Sequence, residues 1–153
     1  MRQVARYRLC ACALFATLAP AVWPVYAQQS HPQDKPFGHK IVLQLSDYEP
    51  RKEALLITVA NNLLQFYHSD KVAIEVVTFG PGIDLLRTDN VNRQRVESLI
   101  AQGVRFDVCL NTIEKIEHET GKRPDIIPAA TPVEVGIGQI VFLSENGYTL
   151  VRP

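Results

Sequence analysis

Apolar and polar positions along this chain change period several times, and each change predicts an element. KIVLQLS (40–46) is a short apolar run of strand length, VAIEVVTF (72–79) is a second, rich in β-branched residues, and VRFDVCL (104–110) is a third. Between the first two the spacing is helical: Leu55, Val59, Leu63 and Phe66 recur at steps of three and four over 51–68, with Leu56 and Leu64 widening the stripe. Ser46 or Asp47 is the expected cap of that helix, and Pro50 suits its first turn. After the second strand, IDLLR predicts a short helical turn. Residues 89–103 then predict a helix with Val91, Val96, Leu99 and Ile100 as its apolar side and Gly103 at its end. NTIEKIEHETG (111–121) predicts a charged helix, with Asn111 and Glu114 in the places of a capping box.

Beyond it, KRPDIIPAATP (122–132) holds three prolines and reads as loop. In VEVGIGQIVFLSENG (133–147) the β-branched content favours a strand. The spacing of Val133, Ile137, Ile140 and Val141, with Gly147 as terminator, favours a helix, which is the expectation adopted. YTLVRP (148–153) predicts a last strand. Strands alternating with helices require crossovers, so the expected fold is α/β, with a mainly parallel sheet between helical layers. There is no internal repeat and no low-complexity segment.

The first 27 residues change how the rest is counted. Arg2, Arg6 and Arg8 precede an apolar stretch over 9–22, and VYA closes the segment at Ala27. This is the pattern of a secretory signal peptide cleaved after Ala27. A retained anchor is the alternative, but the stretch is shorter than the roughly 20 residues a span needs, and Pro20 and Pro24 interrupt it. No lipobox precedes Cys10 or Cys12. Residues 28–39 are polar with two prolines and read as a flexible leader, with His31 and His39 as solvated side chains. The domain proper is expected over 40–153, soluble and periplasmic, without membrane contact after cleavage.

Three of the 16 basic residues and none of the 16 acids lie in the signal segment. The remainder therefore carries 13 basic and 16 acidic residues, a formal charge of −3. That balance argues against a nucleic-acid partner. Cleavage also removes Cys10 and Cys12 and leaves Cys109 alone. One unpaired cysteine in an oxidising compartment points to a reactive thiol or an intermolecular bridge. Equally, it fits a buried cysteine serving as a small apolar side chain.

In parallel α/β sheets, reactive groups gather at the carboxyl ends of strands. Three features fall there: SDYEP with Asp47, the GPG turn of Gly80 to Gly82, and Cys109. The glycines permit either close approach of a ligand or a plain strand-to-helix turn; no Walker loop follows them. Cys109 sits just before a predicted helix, where unpaired N–H groups and the dipole favour an anion. Arg105, Asp107 and Cys109 share a strand face, Arg105 favouring a thiolate and the nearer Asp107 opposing it. The other reading of that face is a solvated surface or one covered by another subunit. No Cys-x-x-Cys, no Gly-x-Ser-x-Gly and no metal-ligand spacing occurs, and no cofactor or metal is expected. His118 lies about two turns down the helix, roughly 10 Å from its start, too far to serve as a base for Cys109. His68 ends the first helix, where a cation suits the dipole.

VEVVTFGPGIDLL, GVRFDVCLNT and DIIPAATPVEVGIGQIVFLSENGYTLVRP together resemble the DsrE/DsrF-like family of small sulfur-relay proteins, in its exported single-domain branch. The likeness covers roughly residues 40–153. Its most specific marks are the Phe-Gly-Pro-Gly turn, the Gly-Val-Arg-Phe-x-x-Cys-x-Asn-Thr run and the terminal Gly-Tyr-x-x-x-Arg-Pro. The resemblance implies a three-layer α/β/α sandwich, assembled as a trimer or hexamer, and a persulfide carried on Cys109 and passed between a donor and an acceptor protein or small thiol. Asn111 and Thr112 would then offer helix N-terminal N–H groups to the sulfur anion. A non-catalytic module binding a small ligand or protein, with Cys109 as packing, is the alternative. A thiol-redox sensor bridged through Cys109 is a third.

Overall fold

The computed structural model describes residues 38–153. The expected signal segment (1–27) and the leader as far as residue 37 lie outside the described residues. The apolar runs form parallel strands, β1 (His39–Leu45), β2 (Val72–Thr78) and β3 (Arg105–Cys109), each followed by helical chain. Helix α1 (Pro50–Tyr67) follows β1. A 3₁₀ helix (Gly80–Leu86) and α2 (Arg93–Ala101) follow β2, and α3 (Leu110–Thr120) follows β3. The chain then forms β4 (Thr131–Val133), α4 (Gly136–Glu145) and β5 (Thr149–Val151). The five strands lie in the order β4-β3-β2-β1-β5, and every pairing is parallel.

Chirality dictates the layering. Steps from β1 to β4 all run toward one edge, so right-handed crossovers put α1, α2 and α3 on one face. The return to β5, beside β1, puts α4 on the other. On the first face Leu56, Ile57, Ala60 and Leu64 of α1, Val96 and Leu99 of α2 and Ile113 of α3 pack against Leu43, Ile74, Val76, Phe106 and Val108. On the second, Ile140 and Leu143 of α4 and Tyr148 cover Val42, Ala73 and Val77. The central strand β2 is buried at every residue, as a parallel strand covered on both faces must be. The fold is thus a three-layer α/β/α sandwich around an all-parallel sheet.

Several local expectations are corrected. Helix α1 is rotated by one residue from the predicted stripe: Leu56, Ile57, Ala60 and Leu64 are buried, Val59 and Leu63 are partly so, and Leu55 and Phe66 are exposed. Two apolar stripes lie side by side on this helix, and only the sheet selects between them. Neither Ser46 nor Asp47 caps α1. Its N-cap is Glu49, with Pro50 opening the first turn and no side-chain cap bond. Helix α2 starts at Arg93, because the Asn92 N–H donates to Asn90 Oδ1 at 2.8 Å and holds the preceding residues in a turn. Val91 is therefore 93% exposed instead of packed. Helix α3 has Cys109 as its N-cap, so Asn111 lies inside the helix and forms no capping box. The proline-rich stretch hides β4, whose Pro132 is tolerated because the strand lies at the sheet edge. Residues 136–145 are helical, as the spacing predicts.

Candidate functional site

At the carboxyl edge of the sheet, consecutive strand ends are stitched together through backbone. After β1, Leu45 O accepts from Phe79 N–H at 3.2 Å. A Cβ on Gly82 would overlap the Leu45 carbonyl and come to 2.9 Å from Ser46 N, so the 3₁₀ helix lies on the end of β1 as only glycine allows. Gly80 has φ +53° and its N–H donates to Thr112 Oγ1 of α3 at 2.9 Å. The GPG turn and the start of α3 are thereby joined. Asp47 is not part of this junction: it is exposed and paired with Lys52 Nζ at 2.6 Å.

Cys109 lies at the end of β3, 5% exposed, and is the free cysteine among the described residues. Its Sγ accepts the Gly136 N–H at 3.3 Å and, as a thiol, donates weakly to Glu134 O at 3.9 Å. Gly136 is the first residue of α4, and Cys109 caps α3, so the amino ends of two helices meet at one sulfur. The close approach requires glycine: a Cβ on Gly136 would sit 3.0 Å from Phe79 Cβ and 3.3 Å from Cys109 Cβ. Neither Asn111 nor Thr112, whose N–H groups the sequence assigned to the sulfur, donates to it. Asn111 N–H donates to Glu134 O at 3.3 Å, and Thr112 serves through its hydroxyl to Gly80. Gly136 supplies the contact instead, and nothing in its sequence context marks it beyond GIG before a helix.

Behind Cys109 on the α4 face lies a buried polar cluster. Arg105 Nε is 2.7 Å from Asp107 Oδ1 and 3.8 Å from Glu75 Oε1, and Gln139 Nε2 of α4 donates to Glu75 Oε1 at 2.7 Å. Both carboxyl groups are fully buried. Burial first, then the hydrogen bond and charge of Glu75, push Asp107 up to about 8, outweighing the opposite pull of Arg105. Together Glu75 and Asp107 hold a proton more tightly than a free carboxyl does, and Arg105 answers Glu75 and Asp107 instead of the sulfur. Burial, then the Glu75 charge, pushes the neighbouring Tyr148 up to about 12. Glu75 was readable as an anomaly, the one charged residue inside a strand that is otherwise apolar or Thr. Among the described residues, no group of three His, Cys, Asp or Glu side chains could hold a metal ion, and no helix is long and apolar enough to cross a membrane.

No protein-family model matches the chain, and no curated protein matches it. Among solved structures, the chain is similar to the protein of unknown function MTH1491 from Methanobacterium thermoautotrophicum. The two share 30% sequence identity and a TM-score of 0.68, over 75% of this chain and 99% of that one.

Proposed function

We propose a role from the site itself, because the chain belongs to the same family as MTH1491, whose function is unknown. The protein is a DsrE-like sulfur carrier, exported to the periplasm, that holds sulfane sulfur as a persulfide on Cys109. One observation carries this reading: the Gly136 N–H at 3.3 Å from Cys109 Sγ, with α3 starting at the same residue. One backbone N–H, from Gly136, and the amino ends of two helices at one sulfur favour an anion there.

In the loading step the Cys109 thiolate attacks the outer sulfur of a polysulfide or persulfide. The new S–S bond forms as the donor's S–S bond breaks, and the donor leaves as a thiolate from a persulfide or as a shortened polysulfide anion from a polysulfide. In the unloading step an acceptor thiolate attacks the terminal sulfur of Cys109–S–S⁻, and Cys109 leaves as a thiolate. Neither step has a net oxidant or reductant, and both keep a negative charge on sulfur beside Gly136. Cys109 is 5% exposed, so a donor reaches it only through local movement of the surrounding chain.

That same burial favours the second reading, a binding module in which Cys109 is packing. Intact-mass analysis after polysulfide treatment separates the two. Addition of sulfur that reductant removes, on the wild type and not on Cys109→Ser, is the expected result. A wild type that gains nothing, and whose thiol resists alkylation until unfolded, makes Cys109 a core residue and ends the carrier reading.

A further inference from the structure

A second candidate site lies on the other face of the sheet, between the loops that follow β1 and β2. The start of α1, the 3₁₀ helix and the turn into α2 surround an open cavity of about 390 Å³ at the carboxyl edge. Its wall includes Tyr48, Glu53, Asp84, Arg87, Asn90 and Val91. Glu53 is 2% exposed. Its Oε2 accepts from Asn90 Nδ2 at 3.2 Å and Asn92 Nδ2 at 3.1 Å, while its Oε1 is buried with no hydrogen-bond partner among the described residues. Both donors are neutral amides, and Glu53 forms no ion pair among the described residues. A buried carboxylate ordinarily has a cation or a full set of donors.

The neighbouring charges do not supply that cation. Arg87 Nε lies 3.1 Å from Asp89 and 3.7 Å from Asp84 and is engaged there, not with Glu53. The rim carries Tyr48, 64% exposed, and Val91, which the Asn90–Asn92 turn holds out of the core. Among the described residues, no group of three His, Cys, Asp or Glu side chains could hold a metal ion here. An ammonium on a small apolar body suits the arrangement: carboxylates accept N–H groups, and Tyr48 and Val91 at the rim offer an aromatic and an apolar surface.

We propose that this cavity binds a small organic ammonium ion, its N–H groups on Glu53 and Asp84 and its apolar part against Tyr48 and Val91. The site is independent of Cys109. The test is a titration of the ¹⁵N-labelled protein with benzylammonium chloride, against sodium chloride at equal ionic strength. Saturable amide shifts confined to residues 48–53 and 84–92, with a rise in melting temperature, are expected. Glu53→Gln abolishes both and Cys109→Ser keeps both. Tyr48→Ala, an exposed change that does not depend on folding of the Glu53 variant, weakens binding by about threefold. Shifts that fail to saturate, that spread over the acidic surface, or that survive Glu53→Gln unchanged overturn the proposal.

Discussion

At the scale of single residues, the candidate site depends on two positions where an added or lost group has a defined consequence. Gly136 brings the first turn of α4 against Cys109 and Phe79, and a methyl group there meets Phe79 Cβ at 3.0 Å. Gly136→Ala must displace either Phe79 or the helix start, a form of overpacking that costs about 1–3 kcal/mol. It also moves the N–H away from Sγ. Urea denaturation should show the loss of stability, and the persulfide yield on Cys109 should fall below wild type even in the folded fraction. Thr112 makes a different contribution. Its hydroxyl accepts the Gly80 N–H, and Thr112→Val preserves shape while leaving that half-buried donor unpaired. The expected loss is about 1–3 kcal/mol, with sulfur loading unchanged because Thr112 does not contact Sγ. A Thr112→Val protein that is as stable as wild type would mean the GPG turn is held by packing alone.

At the scale of elements, β2 and β3 set up a pH dependence that neither strand has alone. Asp107 has an ordinary value of 3.8 and is pushed up to about 8 in the fold, chiefly by burial and by Glu75 across the strand pair. The folded state therefore binds this proton more tightly than the unfolded one. Its contribution to stability is full below about 3.8 and is lost as pH rises to about 8. Wild-type urea midpoints should fall across that window, and Asp107→Asn, neutral at every pH, should flatten the curve. A variant that follows the wild-type slope would place the linkage on another group. The pair also marks the limit of what pattern reading delivers. Alternation along β3 put Arg105, Asp107 and Cys109 on one face, but the upward shift of Asp107 needed the depth of burial and the position of Glu75 on a neighbouring strand. Similarly, helical spacing located α1 and α4 but not the rotation of α1. Pro132 concealed β4, because an edge strand of three residues has no period to detect. Gly136 was invisible because its partner, Cys109, is 27 residues away and the contact exists only once β3 and β4 pair.

At the scale of the whole molecule, the two faces of the sheet are covered unequally. Three helices shield one face, while α4 alone crosses the other, and α4 is apolar on both its sides: Ile140 and Leu143 face the sheet, and Ile137, Val141 and Phe142 remain exposed, with Leu150 of β5 nearby. A helix that is apolar all round is normally covered all round. The homo-oligomer expected from the DsrE-like resemblance offers a second copy of the same chain as the cover. Sedimentation equilibrium of the wild type should then give a multiple of the monomer mass, and Val141→Lys, which puts a charge on the exposed side without touching the core, should lower it. Because α4 also provides the Gly136 N–H, separation of the subunits is expected to raise the alkylation rate of Cys109 in the same variant. A wild type that sediments as a monomer at all concentrations would overturn the oligomer expectation while leaving the loading chemistry at Cys109 to be judged by its own mass shift.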